Sequence, residues 1–196
     1  IASDQLALLP VTDRFMFLEE GDIADIRRDR IEIHDRNKQP VERAVTRFEH
    51  SQDAAEKGEY RHFMLKELME QPEVIRRTLA GRISLSPPDV RLEKFPFTDA
   101  EVQDIHRVML TGMGTSLHAC QVGRFFMEAS AGLPAEVDNA SELRYRDPIM
   151  DHHTLVVSVG QSGETADTLA AMTAVREKGG RLVTICNVEG SQAPRI

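Results

Sequence analysis

Cysteine is scarce in this 196-residue chain: Cys120 and Cys186 are the only two, so no disulfide framework can hold the fold together. Nothing approaches the ~20-residue apolar run of a membrane-spanning helix. Positive charge is outnumbered, with 24 Lys+Arg against 32 Asp+Glu, a formal net charge of −8. That balance excludes nucleic acid or an anionic membrane as a partner held by bulk electrostatics. There is no initiator methionine; the sequence starts at Ile1 and stops at Ala193-Pro194-Arg195-Ile196, just after a strand-like run, as expected of a piece cut from a longer polypeptide. What is present, 41% hydrophobic and 29% charged residues, suffices to build a core, so wholesale disorder is excluded. A reduced, soluble, cytoplasmic protein is expected, of one domain or one domain plus a fragment.

Between Arg14 and Asp35, β-like runs at 15–18, 23–26 and 31–34 alternate with the turn Glu19-Glu20-Gly21-Asp22, and the apolar residues recur with period two. So few strands cannot bury two faces, so they predict the edge of a sheet whose other strands lie upstream of Ile1. Glu19, Glu20 and Asp22 read as a solvated turn, because no further cation ligands follow at loop spacing. Residues 37–60 are polar, with Lys38-Gln39-Pro40 and Glu56-Lys57-Gly58-Glu59 as turn signals, and read as an interdomain linker. From His62 the spacing becomes helical through Phe63, Leu65, Leu68 and Met69; Pro72 either interrupts that helix or opens a second one through Val74, Ile75 and Leu79. A loop follows at Ser86-Pro87-Pro88-Asp89, and Asp99 is the expected N-cap of a short helix reaching Ile105.

From Arg107 the chain alternates strand, loop and helix. Strands are expected at 107–111, 135–138, 155–159 and 182–186, with intervening helices ending near Ala131 and Lys178 and a short one after Ser141. This order predicts an α/β fold, a doubly wound, flavodoxin-like parallel sheet with helices on both faces. Two of its strand-to-helix loops are rich in glycine and hydroxyls: Gly112-Met113-Gly114-Thr115-Ser116, and Gly160-Gln161-Ser162-Gly163-Glu164-Thr165. Such turns lie at the carboxyl edge of a parallel sheet, where ligands bind. Glycine allows close approach of the backbone, and the leading amides and dipole of a helix favour an anion. The hydroxyls of Thr115, Ser116, Ser162 and Thr165 add neutral donors, so a phosphate can be held without many basic side chains. Serine and threonine at helix starts also serve as simple caps, but two such loops at neighbouring edges favour anion binding. Glu164 reads as complementing the helix dipole; Gln161 is either a ligand or a surface residue.

A dinucleotide site is the rival, since Gly112-Met113-Gly114 opens a GxGxxG pattern and Asp138 ends the next strand. The third glycine position is Leu117, however, and the second loop goes unexplained. Asp151-His152-His153 has no third metal ligand in sequence and reads as a solvated loop. His118 either contacts a ligand or is a partly buried helix histidine. Cys120 has no adjacent base and reads as packing rather than a nucleophile.

Several stretches resemble the glucosamine-6-phosphate synthase family, the isomerizing glutamine:fructose-6-phosphate aminotransferases. They are residues 2–12, the segment Phe17-Leu18-Glu19-Glu20-Gly21-Asp22, the helix from His62 to Glu67 with Glu70-Gln71-Pro72, and the loops Gly114-Thr115-Ser116 and Gln161 to Thr168. The loops alone would indicate only a sugar isomerase (SIS) domain. The resemblance covers almost the whole chain and implies three parts: residues 1–36 as the end of an N-terminal-nucleophile glutaminase domain, 37–60 as linker, and 61–196 as an incomplete SIS isomerase domain. In the family, ammonia from glutamine is added to fructose 6-phosphate to give glucosamine 6-phosphate for UDP-N-acetylglucosamine and related precursors. By resemblance, the sugar-phosphate contacts fall on Gly114, Thr115, Ser116, Gln161, Ser162, Gly163 and Thr165. The family often has serine where this chain has Gly160, which removes one hydroxyl. No catalytic residue, metal or cofactor is assigned: the nucleophilic cysteine and the isomerase base, histidine and lysines lie outside these positions, so the chain alone is expected to be inactive. The family's shared active sites imply a homodimer. The alternative is a non-catalytic SIS regulatory module that binds a phosphosugar.

Overall fold

The computed structural model describes residues 1–2, 8–47, 57–92, 95–188 and 191–196, so the expectations for residues 3–7 and 48–56 lie outside the described residues. The chain divides into two compact units, Ile1–Ala80 and Gly81–Ile196.

Among the described residues, the first unit carries five short strands: β1 (Arg14–Met16), β2 (Ile23–Ile26), β3 (Ile31–His34), β4 (Pro40–Val41) and β5 (Val45–Arg47). β2, β3 and β4 form an antiparallel sheet, and β1 pairs with β5. The last two strands fall inside the stretch expected as linker. β4 forms there because the turn at Asp35, whose carboxylate accepts from the amides of Asn37 and Gln39 (2.8 and 2.9 Å), folds the chain back onto β3, and β5 pairs with β1, where Arg47 Nε donates to the Asp13 carboxylate at 2.7 Å. Leu9, Phe15 and Ile33 are buried. The acidic turn has a cationic partner that its local spacing does not show. Arg43 donates Nε and Nη2 to the two oxygens of Asp22 (2.8 and 2.9 Å) and reaches Glu19 at 3.1 Å. The Asp22 side chain is only 1% exposed, and this guanidinium, with the Glu19 amide, holds its carboxyl down at about 2. One helix, α1 (Phe63–Leu79), runs unbroken through Pro72, which resolves the two readings of that proline.

The second unit opens with the hairpin β6 (Ile83–Leu85) and β7 (Pro88–Val90), the second strand overlapping the loop expected at 86–89; Ile83 pairs with Val90, Ser84 with Asp89 and Leu85 with Pro88. The short helix α2 (Asp99–Gln103) is capped by Thr98 rather than Asp99. Thr98 Oγ1 accepts from the Glu101 amide, and the Glu101 carboxylate accepts from the Thr98 amide at 2.8 Å, a reciprocal box that Asp99 is one residue too late to make.

Four parallel strands follow: β8 (Arg107–Gly112), β9 (Ala135–Asn139), β10 (Thr154–Val159) and β11 (Arg181–Ile185), in the order β11-β10-β8-β9. They are joined by α3 (Thr115–Phe126, continued by a π-turn to Ala131), α4 (Ala140–Arg146) and α5 (Ala166–Glu177). Alternation along β8 explains the layers. Val108 and Leu110 pack with Cys120 of α3, Ala135 and Val157 on one face; Met109 packs with Ala140 and Leu143 of α4, Val156, and Ala171 and Val175 of α5 on the other. A parallel sheet buried on both faces demands near-continuous apolar strands, and β8 from Val108 to Leu110 and β10 from Leu155 to Val157 meet that demand, with Thr111, Thr154 and Ser158 as buried polar residues on the same strands.

Candidate active-site loops

The strand order places the site. β8 leads through α3 to β9 on one side, while β10, next after β9 in sequence, lies on the other side of β8. The reversal between β8 and β10 is a topological switch point, where the outgoing loops part and leave a crevice. Both glycine-rich loops leave these two strands, and Gly112 is in register with Val159, so they start level with one another.

The first loop needs its glycine at 112 for room. A Cβ there would stand 2.8 Å from the carbonyl oxygen of Val159 and 3.2 Å from the Ser116 backbone. Gly114, at φ 54°, is the N-cap of α3 and offers no side chain to the helix. Thr115 and Ser116 therefore sit at the first positions of α3 without capping it, and their hydroxyls make no hydrogen bond among the described residues. The amides of Leu117 and His118 turn back onto the Gly114 carbonyl (3.1 and 3.4 Å), which closes the first turn.

The second loop is held from outside. Gln161 O accepts from the Asn187 amide (3.1 Å), and Gly163 O accepts from the Ala193 amide (3.0 Å). The Glu164 carboxylate accepts from the Gln192 amide (2.9 Å) and from Gln192 Nε2 (2.7 Å). Glu164 therefore secures the chain after β11, a role that dipole complementation does not describe. Gly163 is buried with φ +68°, and a Cβ on it would lie 2.1 Å from Ser191 Oγ. Ser162 Oγ accepts from the Glu164 amide at 3.2 Å, a local turn bond that still leaves its proton to donate. Thr165 is the N-cap of α5, yet its side chain makes no cap bond. Capping thus accounts for none of Thr115, Ser116 and Thr165. Gln161 is exposed.

The bracing residues Asn187, Ser191, Gln192 and Ala193 went unnoticed in the sequence, because a tail after a last strand carries no periodic signal. Ser158 and Thr111 did leave a trace, as hydroxyls that follow the apolar runs Leu155–Val157 and Val108–Leu110 in two buried strands.

The rival constellations are occupied. The Asp138 carboxylate that a ribose would require pairs with Arg146 at 2.7 Å. His118 is exposed and lies 3.3 Å from Gln121 Oε1. Cys120 is fully buried, and desolvation pushes its thiol up to about 11, so it is a poor nucleophile. At the opposite, amino edge of the sheet, Asp104 and His106 join His153 to bring three candidate metal-ligand atoms within 4.8 Å of one another. Asp104, however, pairs with Arg181 at 3.2 Å, and His153 Nδ1 lies 2.9 Å from the Asp104 carbonyl. The His106 and His153 rings stack 4.5 Å apart at 4°. The cluster is a polar clasp across the strand starts, with His153 Nδ1 also 3.1 Å from the Asp104 carboxylate.

Residues 101–195 match the model of the SIS domain. The chain is 50% identical, over 190 residues and 96% of its length, to the glutamine–fructose-6-phosphate aminotransferase (isomerizing) of Pseudomonas syringae pv. tomato, of which it covers 31%. It is 44% identical over its full length to the protein of that name from Symbiobacterium thermophilum, covering 32% of it. Among solved structures, the C-terminal domain of glucosamine-fructose-6-phosphate aminotransferase from Francisella tularensis matches with a TM-score of 0.63 and 33% identity, over 71% of this chain and 39% of that one. The chain thus spans about a third of the length of the curated relatives it matches.

Proposed function

Since residues 101–195 belong to the SIS domain family, we propose that this chain is a segment of an isomerizing glutamine:fructose-6-phosphate aminotransferase and supplies part of its sugar-phosphate pocket. The observation that carries the reading is the pair of loops flanking the switch point, with the hydroxyls of Thr115, Ser116 and Thr165 left unused by the helices they begin. The phosphate of fructose 6-phosphate, or of the product glucosamine 6-phosphate, would take hydrogen bonds from these hydroxyls, Ser162 and the leading amides at Gly114 and Gly163, with Gln161 reaching the sugar. Residues 1–36, with the two strands that pair back onto them, would be the end of a glutaminase domain; the linker would run on to Tyr60, and the isomerase domain would start at Arg61. In the whole enzyme glutamine supplies ammonia, the assembly is a cytoplasmic homodimer, and the product feeds UDP-N-acetylglucosamine synthesis.

The segment alone would bind without turning over. Moving a proton between C1 and C2 of the sugar needs a positioned base. The carboxylates in the second loop and on the elements that follow the two strands are committed: Glu164 to Gln192, Asp167 to Arg144 and Asp138 to Arg146. Calorimetric titration of the chain with fructose 6-phosphate, glucose 6-phosphate and fructose tests the reading. The two phosphates should bind and fructose should not, and Thr115→Ala or Ser162→Ala should each cost on the order of 1–3 kcal/mol. Equal heats from fructose and fructose 6-phosphate would defeat it, and turnover of glutamine or fructose 6-phosphate by the chain alone would defeat its non-catalytic part.

A further inference from the structure

Beneath the second loop lies a recess lined by Ser158, Gly160, Gly163, Thr165, Thr168 and Thr184, among others, with enclosed room for about one water molecule. Its floor is unusual. Ser158 is 1% exposed, and its hydroxyl has no hydrogen-bond partner among the described residues. Buried hydroxyls are nearly always satisfied, so an orphan one on a residue that lines a recess calls for a partner. Its neighbours set it apart. Thr184, in register on β11, already donates to the Ser158 carbonyl at 3.5 Å. Thr111, in register on β8, is equally buried and unpartnered but does not line the recess. The mouth beside Ser158 is open, because nothing stands within 4 Å of where a Cβ on Gly160 would be. Above it begins α5, twelve residues long, whose N-cap Thr165 leaves its side chain unused.

We infer that the Ser158 hydroxyl is a further positioning group of the sugar-phosphate site. It donates to one water held in the recess, and that water donates to a phosphate oxygen seated at Gly163–Thr165. This rests on the sugar-phosphate reading above. A hydroxyl is suited to the task, because the proton it gives the water turns the water's own protons outward, toward an anion. The relay would also tie the ligand to β10 as well as to the loop that carries the amides.

The test is the affinity of the full chain for fructose 6-phosphate in the Ser158→Ala, Thr111→Val, Thr115→Ala and Ser162→Ala variants, with thermal unfolding of each. Ser158→Ala should weaken binding roughly 3- to 10-fold, the scale of one lost water-mediated bond. Thr111→Val, which removes an equally buried hydroxyl one strand away, should stay within about twofold. A crystal of the chain with fructose 6-phosphate should show a water bridging Ser158 Oγ and a phosphate oxygen. Unchanged affinity in Ser158→Ala, an equal loss in Thr111→Val, or no bridging water would overturn the inference. If Thr115→Ala and Ser162→Ala weaken binding while Ser158→Ala does not, only the relay falls; if none of the three does, the sugar-phosphate reading falls with it.

Discussion

Replacing Gly163 by alanine tests how tightly the second loop is fixed. Two costs are legible at that residue. Its φ of +68° lies in the left-handed region, where a side chain costs about 1–2 kcal/mol. The new Cβ would also stand 2.1 Å from Ser191 Oγ and 2.8 Å from Ser191 Cβ. Ser191 is poorly placed to retreat, because its hydroxyl donates to the Val188 carbonyl at 2.8 Å and the next residues are tied to the loop by Gln192 and Ala193. Overpacking of this kind costs about 1–3 kcal/mol. Gly163→Ala should therefore lose about 2–5 kcal/mol. Ser191→Gly on that background removes the obstructing atoms but leaves the backbone strained, so the double variant should recover the overpacking share. Urea unfolding of the four proteins of this cycle gives the coupling, with slopes expected to stay constant. A single variant within about 0.5 kcal/mol of the parent, or strictly additive changes, would refute the tight contact between the loop and the chain after β11.

Two further outcomes follow from the ionisable groups. Asp22 has its carboxyl lowered to about 2 by Arg43 and the Glu19 amide, so it stabilises the fold above its unfolded value of 3.8 and that contribution is lost as pH falls from about 4 to about 2. Urea midpoints followed from pH 6 to pH 2 should drop less steeply in Asp22→Asn than in the parent; parallel curves would show that the pair contributes nothing. The buried Cys120 thiol, pushed up to about 11, should resist iodoacetamide at pH 8 under native conditions while the half-buried Cys186 reacts first. Peptide mapping that finds Cys120 alkylated first would contradict its burial.

Much of the α/β portion was legible because its strands are short apolar runs separated by glycine-bearing turns, and buried parallel strands leave that mark. β10 and α5 lie within a residue or two of their expected places for this reason. The hairpin at β6 and β7 was hard to read because its strands are three residues each, Ile83-Ser84-Leu85 and Pro88-Asp89-Val90, too short for an alternation to stand out beside the prolines. Strands β4 and β5 were hidden likewise in a polar stretch, where Arg47 pairs with Asp13 across 34 residues. At the site, the composition of the two loops pointed to an anion, and their position at the switch point supplies the convergence that composition lacks. What the sequence could not offer was the partner of each polar group. Glu164 finds Gln192 28 residues on, and Asp22 finds Arg43 21 residues on, distances at which no local pattern operates.

The central claim is that the two loops at the switch point together hold a sugar phosphate. Amide chemical shifts of the chain, followed by NMR through a titration with fructose 6-phosphate and, separately, with fructose, test it most directly. The account predicts saturable shifts concentrated at Gly114, Thr115 and Ser116 and at Gln161 through Thr165, seen with the phosphate and absent with fructose. Shifts at one loop alone, at the amino edge around His106 and His153, or equal for both sugars would contradict it.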